Sequence, residues 1–583
     1  MNLISRGTNL IPNSNKKKIN IILIIQFFKF LLEMFGIGII VPIIYFLAKG
    51  NEAINQLIDK YELLSIIPER MLSESNLILF ILSSVILVFV IKFLFTIFAN
   101  LYEQKWIETA NVQTTYDLFN FYISDTSKLS DRENYNLIRN LTTEINNFYK
   151  FFIRGFIQFF SESIKLLGIL IFLLIINPKI LITGLFVTIG MVLIFYNFFK
   201  KKIEIYGRRK TLNSGLLIKH ITEGLNSVKE IKLSENPNYF SNLLKIYADE
   251  NADIQVKFSM LNVYPRQILE ILSIVIVCGL IYYLSILFPN QNTSSLFYLG
   301  VYIAALFRII PIVNLLYQSI QQISYSKSSF EVVEKEINEN LSRPIFKTIK
   351  KNEANNIKVE NIIIKDLDFS YDNNNNHNIL HNVNLKFEKG KIYCLTGRSG
   401  SGKSTFINLL MGFIEPKKGK IMINSDINIH DNLLGWQKNV HYLSQKVFLL
   451  NETIKKNIAF SQHEENINET KILESLEKAN LLSHIKELDN GIETTIGDDG
   501  IKLSGGQKQR LGIARSFYFD KKVMILDEFT SSLDFENENL IFDEILKNKK
   551  DKITIIISHS KNITNRSDII MNVENKKIEL IEN

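Results

Sequence analysis

Cysteine is almost absent: Cys278 and Cys394 are the only two in 583 residues. They cannot build a disulfide scaffold, and neither lies in a C-x-x-C pattern, which excludes a stapled secreted fold and a cysteine-held metal or redox centre. Both sit in apolar runs and read as small core residues. Glycine (26) and proline (10) are scarce while Ile, Leu and Phe are plentiful, a balance that neither a disordered nor a collagen-like chain carries. A continuous basic stripe is missing as well. The net charge is +8 and the pI near 8.9, but the excess sits in short blocks beside apolar stretches: Lys16 to Lys18, Lys200 to Lys202 and Arg208 to Lys210. That placement is the positive-inside pattern of a membrane protein, so no nucleic-acid partner is expected.

What is present is uneven. With 46% apolar and 22% charged residues and a mean hydropathy of +0.09, the chain is too apolar for a wholly soluble protein and too charged for a wholly embedded one. Six apolar stretches lie before about residue 320 and none after it: 19–48, 76–100, 152–176, 180–199, 267–288 and 296–320. Each meets the ~20 residues needed to cross a hydrocarbon core ~30 Å thick. The first is too long for a signal-peptide core and lacks a small-residue cleavage site, so it is expected to stay in the mature chain. The basic blocks put 101–151, 200–266 and everything after 320 on the cytoplasmic side. The two long loops keep helical periodicity, as in Leu137, Leu141, Ile145 and Phe148, and read as membrane helices prolonged into the cytoplasm, turning through connecting helices near 128–138 and 211–224. Residues 51–72 read as an amphipathic helix on the external face.

The expected organisation is therefore a helical six-span transmembrane domain (1–325), a polar linker (326–355) and an α/β domain (356–583). Short β-like runs at Ile362–Ile364, Val383–Phe387, Lys391–Leu395, Met422–Ile423, Val523–Leu526 and Ile553–Ile557 alternate with helical segments. That alternation predicts a largely parallel, buried sheet.

The run Lys391–Leu395 feeds Gly397-Arg398-Ser399-Gly400-Ser401-Gly402-Lys403-Ser404-Thr405 and then the helical run Phe406–Met411. This is G-x-x-x-x-G-K-S between strand and helix, a loop whose amides face phosphates, with Lys403 reaching the β/γ-phosphates and the Ser404 hydroxyl suited to Mg²⁺. Val523 to Leu526 ends in Asp527 and Glu528: a buried strand delivers one acid for Mg²⁺ and one to polarise a water at the γ-phosphate. Leu503-Ser504-Gly505-Gly506-Gln507 then opens a helix, a further anion-binding N-terminus.

On these motifs the chain resembles the ATP-binding cassette (ABC) transporters, whose signature is L-S-G-G-Q, and the resemblance extends over both halves. It implies further roles. Tyr371 resembles the aromatic that stacks on adenine, and Gln445 the Q-loop glutamine that reaches Mg²⁺ and the attacking water. Ser532 and Asp534 resemble the D-loop, and His559 the switch histidine. Thr495 to Gly500 resembles the short exporter loop, with Asp498 in place of the usual Glu. Pro often precedes the family's Q-loop glutamine; here Ser444 does. In this family the nucleotide lies between the P-loop of one cassette and the signature of another. A chain with one of each is half a transporter, expected to pair with a second copy of itself, or with a related half.

Membrane half first and cassette second resembles type IV exporters. An ATP-driven exporter in a bacterial inner membrane is thus expected, with its ATPase domain in the cytoplasm. Counted at about 1.5 Å per residue, Arg308 lies ~18 Å and Lys92 ~24 Å from the outer end of their spans. Cations at such depth are costly and face a partner or a wet cavity, which makes both candidate contacts for an anionic headgroup. Arg266 is nearer the cytoplasmic end and pairs with Glu270 at i,i+4. Phe307 to Pro311 and the external helix resemble lipid-linked oligosaccharide flippases, which points to an amphipathic, anionic glycolipid as cargo. A peptide or a hydrophobic small molecule is the alternative, with no peptidase domain ahead of the first span; a nucleotide-gated channel is the reading from another class.

Overall fold

The computed structural model describes residues 2–38, 74–124, 134–176, 178–287, 293–341, 357–371, 378–497 and 500–582. The external helix expected at 51–72, and Asp498 and Asp499, lie outside them. The chain divides into two compact units, Met1–Phe346 and Lys347–Asn583.

The first unit is helical: α1 (Asn2–Asn9), α2 (Asn13–Gly38), α3 (Glu74–Ser124), α4 (Arg154–Ile176), α5 (Pro178–Asn226), α6 (Val228–Leu233), α7 (Tyr239–Leu287), α8 (Thr293–Tyr325) and α9 (Lys327–Leu341). Among the described residues one stretch, Leu82–Ser124, is long and apolar enough to cross a membrane by length and composition. Its apolar side chains stand largely uncovered, Ile86 at 65% and Phe93 at 62% exposure. Among the described residues the helical path into α4 runs from Asn134 through two π-helical segments, Asn140–Glu144 and Phe148–Ile153; most of the connecting helix expected near 128–138 lies outside the described residues. The periodic residues expected there face inward: Leu137, Ile145 and Phe148 are buried, and Leu141 packs on the same core.

Two expectations need correction. Residues 211–224 are not a separate connecting helix, because α5 continues unbroken through them to Asn226; the short helix between the long arms is α6. The polar segment from residue 326 is not linker throughout. It forms α9, whose Phe330, Val333 and Ile337 are buried in the helical core, with Phe330 stacked 4.5 Å from Phe152. Polarity misled here because only one face of α9 is apolar, and burying that stripe is sufficient to hold a helix.

The second unit holds two sheets rather than one. Strands β1 (Asn361–Phe369), β2 (Leu380–Glu388), β4 (Lys418–Ile423) and β5 (Ile427–Asn428) form an antiparallel sheet in the order β2-β1-β4-β5. The other sheet runs β10-β9-β3-β8-β7-β6. It contains β3 (Ile392–Thr396), β6 (Val440–Leu443), β7 (Val523–Asp527), β8 (Ile553–Ile557), β9 (Ile569–Glu574) and β10 (Lys577–Glu582). All neighbours in it are parallel except the edge pair β9–β10. The parallel expectation therefore holds for β3, β7 and β8, whereas the runs at 362–364, 383–387 and 422–423 belong to the antiparallel sheet. The burial pattern separates the two kinds: β2 alternates buried and exposed positions, while every residue of β8 is buried, as expected for one-faced and two-faced strands.

Candidate nucleotide site

Parallel strands share a direction, so β3, β8, β7 and β6 present their carboxyl ends along one edge, where open α/β sheets bind ligands. The glycine-rich loop follows β3, Asp527 and Glu528 end β7, His559 lies two residues beyond β8, and Gln445 two residues beyond β6. Cross-strand bonds fix this juxtaposition: Asp527 pairs with Ile557, and the Glu528 amide donates to the Ile557 carbonyl at 2.9 Å.

The loop after β3 wraps tightly because of its glycines. Gly397 has φ +142°, and a Cβ there would stand 2.7 Å from the Val573 carbonyl oxygen. Gly402, at φ +105°, is the N-cap of α10 (Lys403–Leu410), so the loop delivers its chain directly to a helix N-terminus. Lys403 is half-buried, and its ammonium donates to the carbonyls of Gly397 (2.6 Å) and Arg398 (3.0 Å). Arg398, Ser399, Gly400 and Ser404 are exposed, whereas Ser401 has a buried hydroxyl without a hydrogen-bond partner. Tyr371 is 58% exposed, meets Phe369 edge-on at 5.1 Å and brings its hydroxyl to 3.4 Å from that of Thr405. An exposed aromatic face thus stands beside a cradle of amides, one ammonium and an orphaned hydroxyl, a donor set that fits an adenine nucleotide's polyphosphate.

The acids are held differently. Glu528 has φ +47°, uncommon for a residue with a side chain, and its carboxylate accepts a short hydrogen bond from the Gln445 amide. Asp527 accepts from the Tyr442 hydroxyl at 3.1 Å. Burial raises the Asp527 carboxyl above its ordinary pKa, and the Glu528 charge adds to this; the Tyr442 hydrogen bond and Lys403 oppose it. Among the described residues no group of three His, Cys, Asp or Glu side chains is placed to hold a metal ion. His559 is exposed rather than buried in the core.

The signature residues form the N-terminus of α11 (Gly505–Phe519). Leu503 anchors the turn in the core. The Ser504 hydroxyl accepts from the Gln507 amide (3.3 Å), and the Gln507 side-chain oxygen accepts from the Ser504 amide (2.8 Å), a reciprocal capping box. Gly505 is exposed, and a Cβ on Gly506 would lie 3.0 Å from the Ser532 carbonyl oxygen, so the glycine lets α11 approach the turn that follows β7. Asp534 caps α12 (Phe535–Lys547) by accepting from the Asn537 amide at 2.8 Å, which holds its carboxyl below the ordinary range.

The ABC transporter family profile matches residues 380–531, from β2 to the turn after Glu528. An ATP-dependent lipid A-core flippase of Saccharophagus degradans is 28% identical over 426 residues, 72% of this chain and 69% of that protein. The second unit carries an ABC transporter domain. Its likeness to a probable ABC transporter ATP-binding/permease protein of Haemophilus influenzae, 36% identical over 220 residues, covers 38% of this chain and only 39% of that protein. In three dimensions the chain shares its fold with a bacterial Atm1-family ABC exporter solved with ATP bound: TM-score 0.74, 17% identity, 98% of this chain and 96% of that one. The fold is that of an Atm1-type ABC exporter, an N-terminal helical domain followed by a C-terminal nucleotide-binding domain.

Two residues of this ABC cassette had no role assigned from sequence. Gln509 donates to the Ser531 hydroxyl (2.7 Å) and the Glu528 carbonyl (3.3 Å) and accepts from the Ser532 amide (2.8 Å), joining α11 to the segment after β7. Tyr442 reaches Asp527 from the next strand. Gln509 follows the signature by two residues and is buried, but its partners lie 19–23 residues away, so no local pattern exposes it.

The candidate substrate contacts lie in the helical unit, and there the structure supplies a shared partner. Lys92 is 3.5 Å and Arg308 4.0 Å from the Glu33 carboxylate, which also faces Lys165 at 3.7 Å. Lys165 in turn bonds Glu162 at 2.5 Å. The expected Arg266–Glu270 pair is present at 3.1 Å.

Proposed function

We propose that the cassette hydrolyses ATP as one half of a symmetric pair and that this drives an amphipathic, anionic lipid-linked saccharide across a bacterial inner membrane. The observation that carries the ATPase reading is the arrival of the glycine-rich loop, Asp527, Glu528, Gln445 and His559 at one sheet edge. Lys403 and the loop amides of 397–405 hold the β/γ-phosphates, and Tyr371 stacks on adenine. Bound Mg²⁺ supplies charge neutralisation at the phosphate oxygens, with Ser404, Gln445 and Asp527 to hold it. Glu528 takes the proton of the attacking water, and the Gln445 amide keeps its carboxylate aimed. His559 donates to the γ-phosphate.

Leu503 to Gln507 present their capped N-terminus to the nucleotide of the second copy, and Ser532 and Asp534 border that junction. With one loop and one signature per chain, two copies make two complete sites; a related half could serve as the second. Six spans, of which Leu82–Ser124 is the stretch long and apolar enough among the described residues, form the pathway. Switching between two helix arrangements then gives alternating access. The lipid cargo is supported by the similarity to a protein named as a lipid A-core flippase and by the cations Lys92 and Arg308 at depth.

Reconstituted protein tests the reading. Polyprenyl-diphosphate sugars should stimulate ATP hydrolysis and cross proteoliposome membranes in an ATP-dependent way. Hydrolysis by dimers without any movement of such lipids would overturn the cargo; hydrolysis by water-soluble monomers would overturn the transporter.

A further inference from the structure

We propose that Glu33 is an internal counter-ion seated in an anion site made by Lys92, Lys165 and Arg308, and that an incoming phosphate or diphosphate group of a lipid displaces it from Arg308 and Lys92. This deepens the anionic-lipid reading above and rests on it. The residues come from α2 (Glu33), α3 (Lys92), α4 (Glu162, Lys165) and α8 (Arg308), so the site exists only where four helices meet. Close helix contact brings Glu33 there: a Cβ on Gly168 would stand 2.2 Å from the Phe30 ring and 2.9 Å from the Met34 sulfur, on either side of Glu33 in sequence.

The contacts differ in kind. Lys165 and Glu162 form a close pair, each side chain only 7% exposed. The three approaches to Glu33 are 3.5, 3.7 and 4.0 Å, longer than the ~2.7–2.9 Å of a charge-assisted hydrogen bond. Glu33 is shared among three cations and locked to none of them. Arg308 has the longest approach and the most exposed side chain, 34% against 19% for Lys92 and 7% for Lys165.

Counting formal charges among the described residues, Lys92, Lys165 and Arg308 face Glu33 and Glu162, which leaves one positive charge in excess. In a membrane an unmatched cation is costly, and a purely structural cluster would be expected to balance. Among the described neighbours, Glu103 takes the Gln26 amide (2.7 Å) and faces Lys29 and Arg154, while Lys29 also bonds Asn100 (3.1 Å) and Gln26 receives the Ser161 hydroxyl (3.0 Å), so Glu103 is matched by cations of its own and does not offset the excess. A phosphate offers several acceptor oxygens to the Arg308 fork and to Lys92, and a single negative charge brings the cluster to zero while Glu33 stays with Lys165.

The test uses the full chain in lipid nanodiscs, titrated with a fluorescent polyprenyl diphosphate and with the matching uncharged polyprenol. The parent should prefer the charged lipid. Glu33→Gln should bind the diphosphate about five- to tenfold tighter, because a competing charge at ~4 Å has been removed, with polyprenol affinity unchanged. Glu33→Gln/Lys92→Gln restores the original charge sum and should return affinity toward the parent; Arg308→Gln should weaken it about tenfold. If Glu33→Gln fails to fold, Glu33→Asp, which keeps the charge but withdraws it from Arg308, should tighten binding by a smaller factor.

A parent that does not distinguish the two lipids overturns the anionic-cargo reading and the exchange with it. A parent that does distinguish them, with a Glu33 variant that binds no tighter or tightens on both lipids alike, overturns the exchange and leaves the cargo reading standing.

Discussion

In the cassette the charged groups of the nucleotide site stand at the open edge of a sheet, where water and ligand share the work of solvating them. In the helical unit, among the described residues, Glu33, Lys92, Glu162, Lys165 and Arg308 meet between helices, Glu162 and Lys165 almost wholly buried, and must solvate one another. The first arrangement is built mainly by backbone: glycines at positive φ, a helix N-terminus and strand ends in register. The second is built only by side chains that lie up to 275 residues apart, Glu33 and Arg308 at the extremes. Chemistry at a sheet edge is cheap to expose, whereas charge between helices is held only if its partners are present.

Substitutions should separate the two regions. The largest effect is expected for Glu528→Gln, which keeps the Gln445 side of the contact but loses the base: hydrolysis should fall by roughly 100-fold or more with nucleotide binding retained, read by steady-state turnover and nucleotide titration. Undiminished turnover would remove Glu528 from the mechanism. Next, Lys165→Met leaves Glu162 and Glu33 facing one another in the helical unit and should cost about 3 kcal/mol, seen as a lowered melting transition. Lys165→Met/Glu162→Leu should recover much of it. The exposed pair makes the contrast, since Arg266→Ala should cost under about 0.5 kcal/mol.

Asp527→Asn should act in opposite directions on stability and activity. Burial raises the Asp527 pKa in the fold, so its contribution to stability is full below the unfolded value and lost as pH rises through the folded one. At neutral pH the ionised carboxylate is therefore a cost, and removing it should raise the cassette's melting temperature by about a degree or two while hydrolysis falls. A pH-dependent effect concerns His441 on β6. Its Nε2 is buried without a partner, its ring stacks on Phe519, and burial, with Arg515 and Lys521 beside it, lowers its pKa from 6.5 to about 4. A depressed histidine contributes stability above the unfolded pKa that is lost as pH falls, so the cassette should weaken between pH 6.5 and 4. His441→Leu should flatten that slope in acid unfolding curves.

The loop 397–405, the acids after β7 and the signature were legible in the sequence because their chemistry is local: a few consecutive residues fix the backbone that meets the phosphates. The core strands were legible as apolar runs, but not which sheet each would join. That depends on register with distant strands, as with β1 pairing to both β2 and β4. Gln509 and Tyr442 escaped notice because their roles exist only across chain segments brought together by folding. The end of α5 and the helix at 327–341 were misplaced for a related reason: helix ends and amphipathic stripes are settled by what packs against them.

The order of the motifs, their spacing and the split between an apolar front and an α/β back follow from covalent sequence, since each needs only near neighbours to take its shape. The seating of Glu33 against Lys92, Lys165 and Arg308, and of Gln509 between the signature helix and the acids, follows from tertiary packing alone. Electrostatic pairing acts over a few ångströms, and only the fold determines which of the chain's many charges come that close.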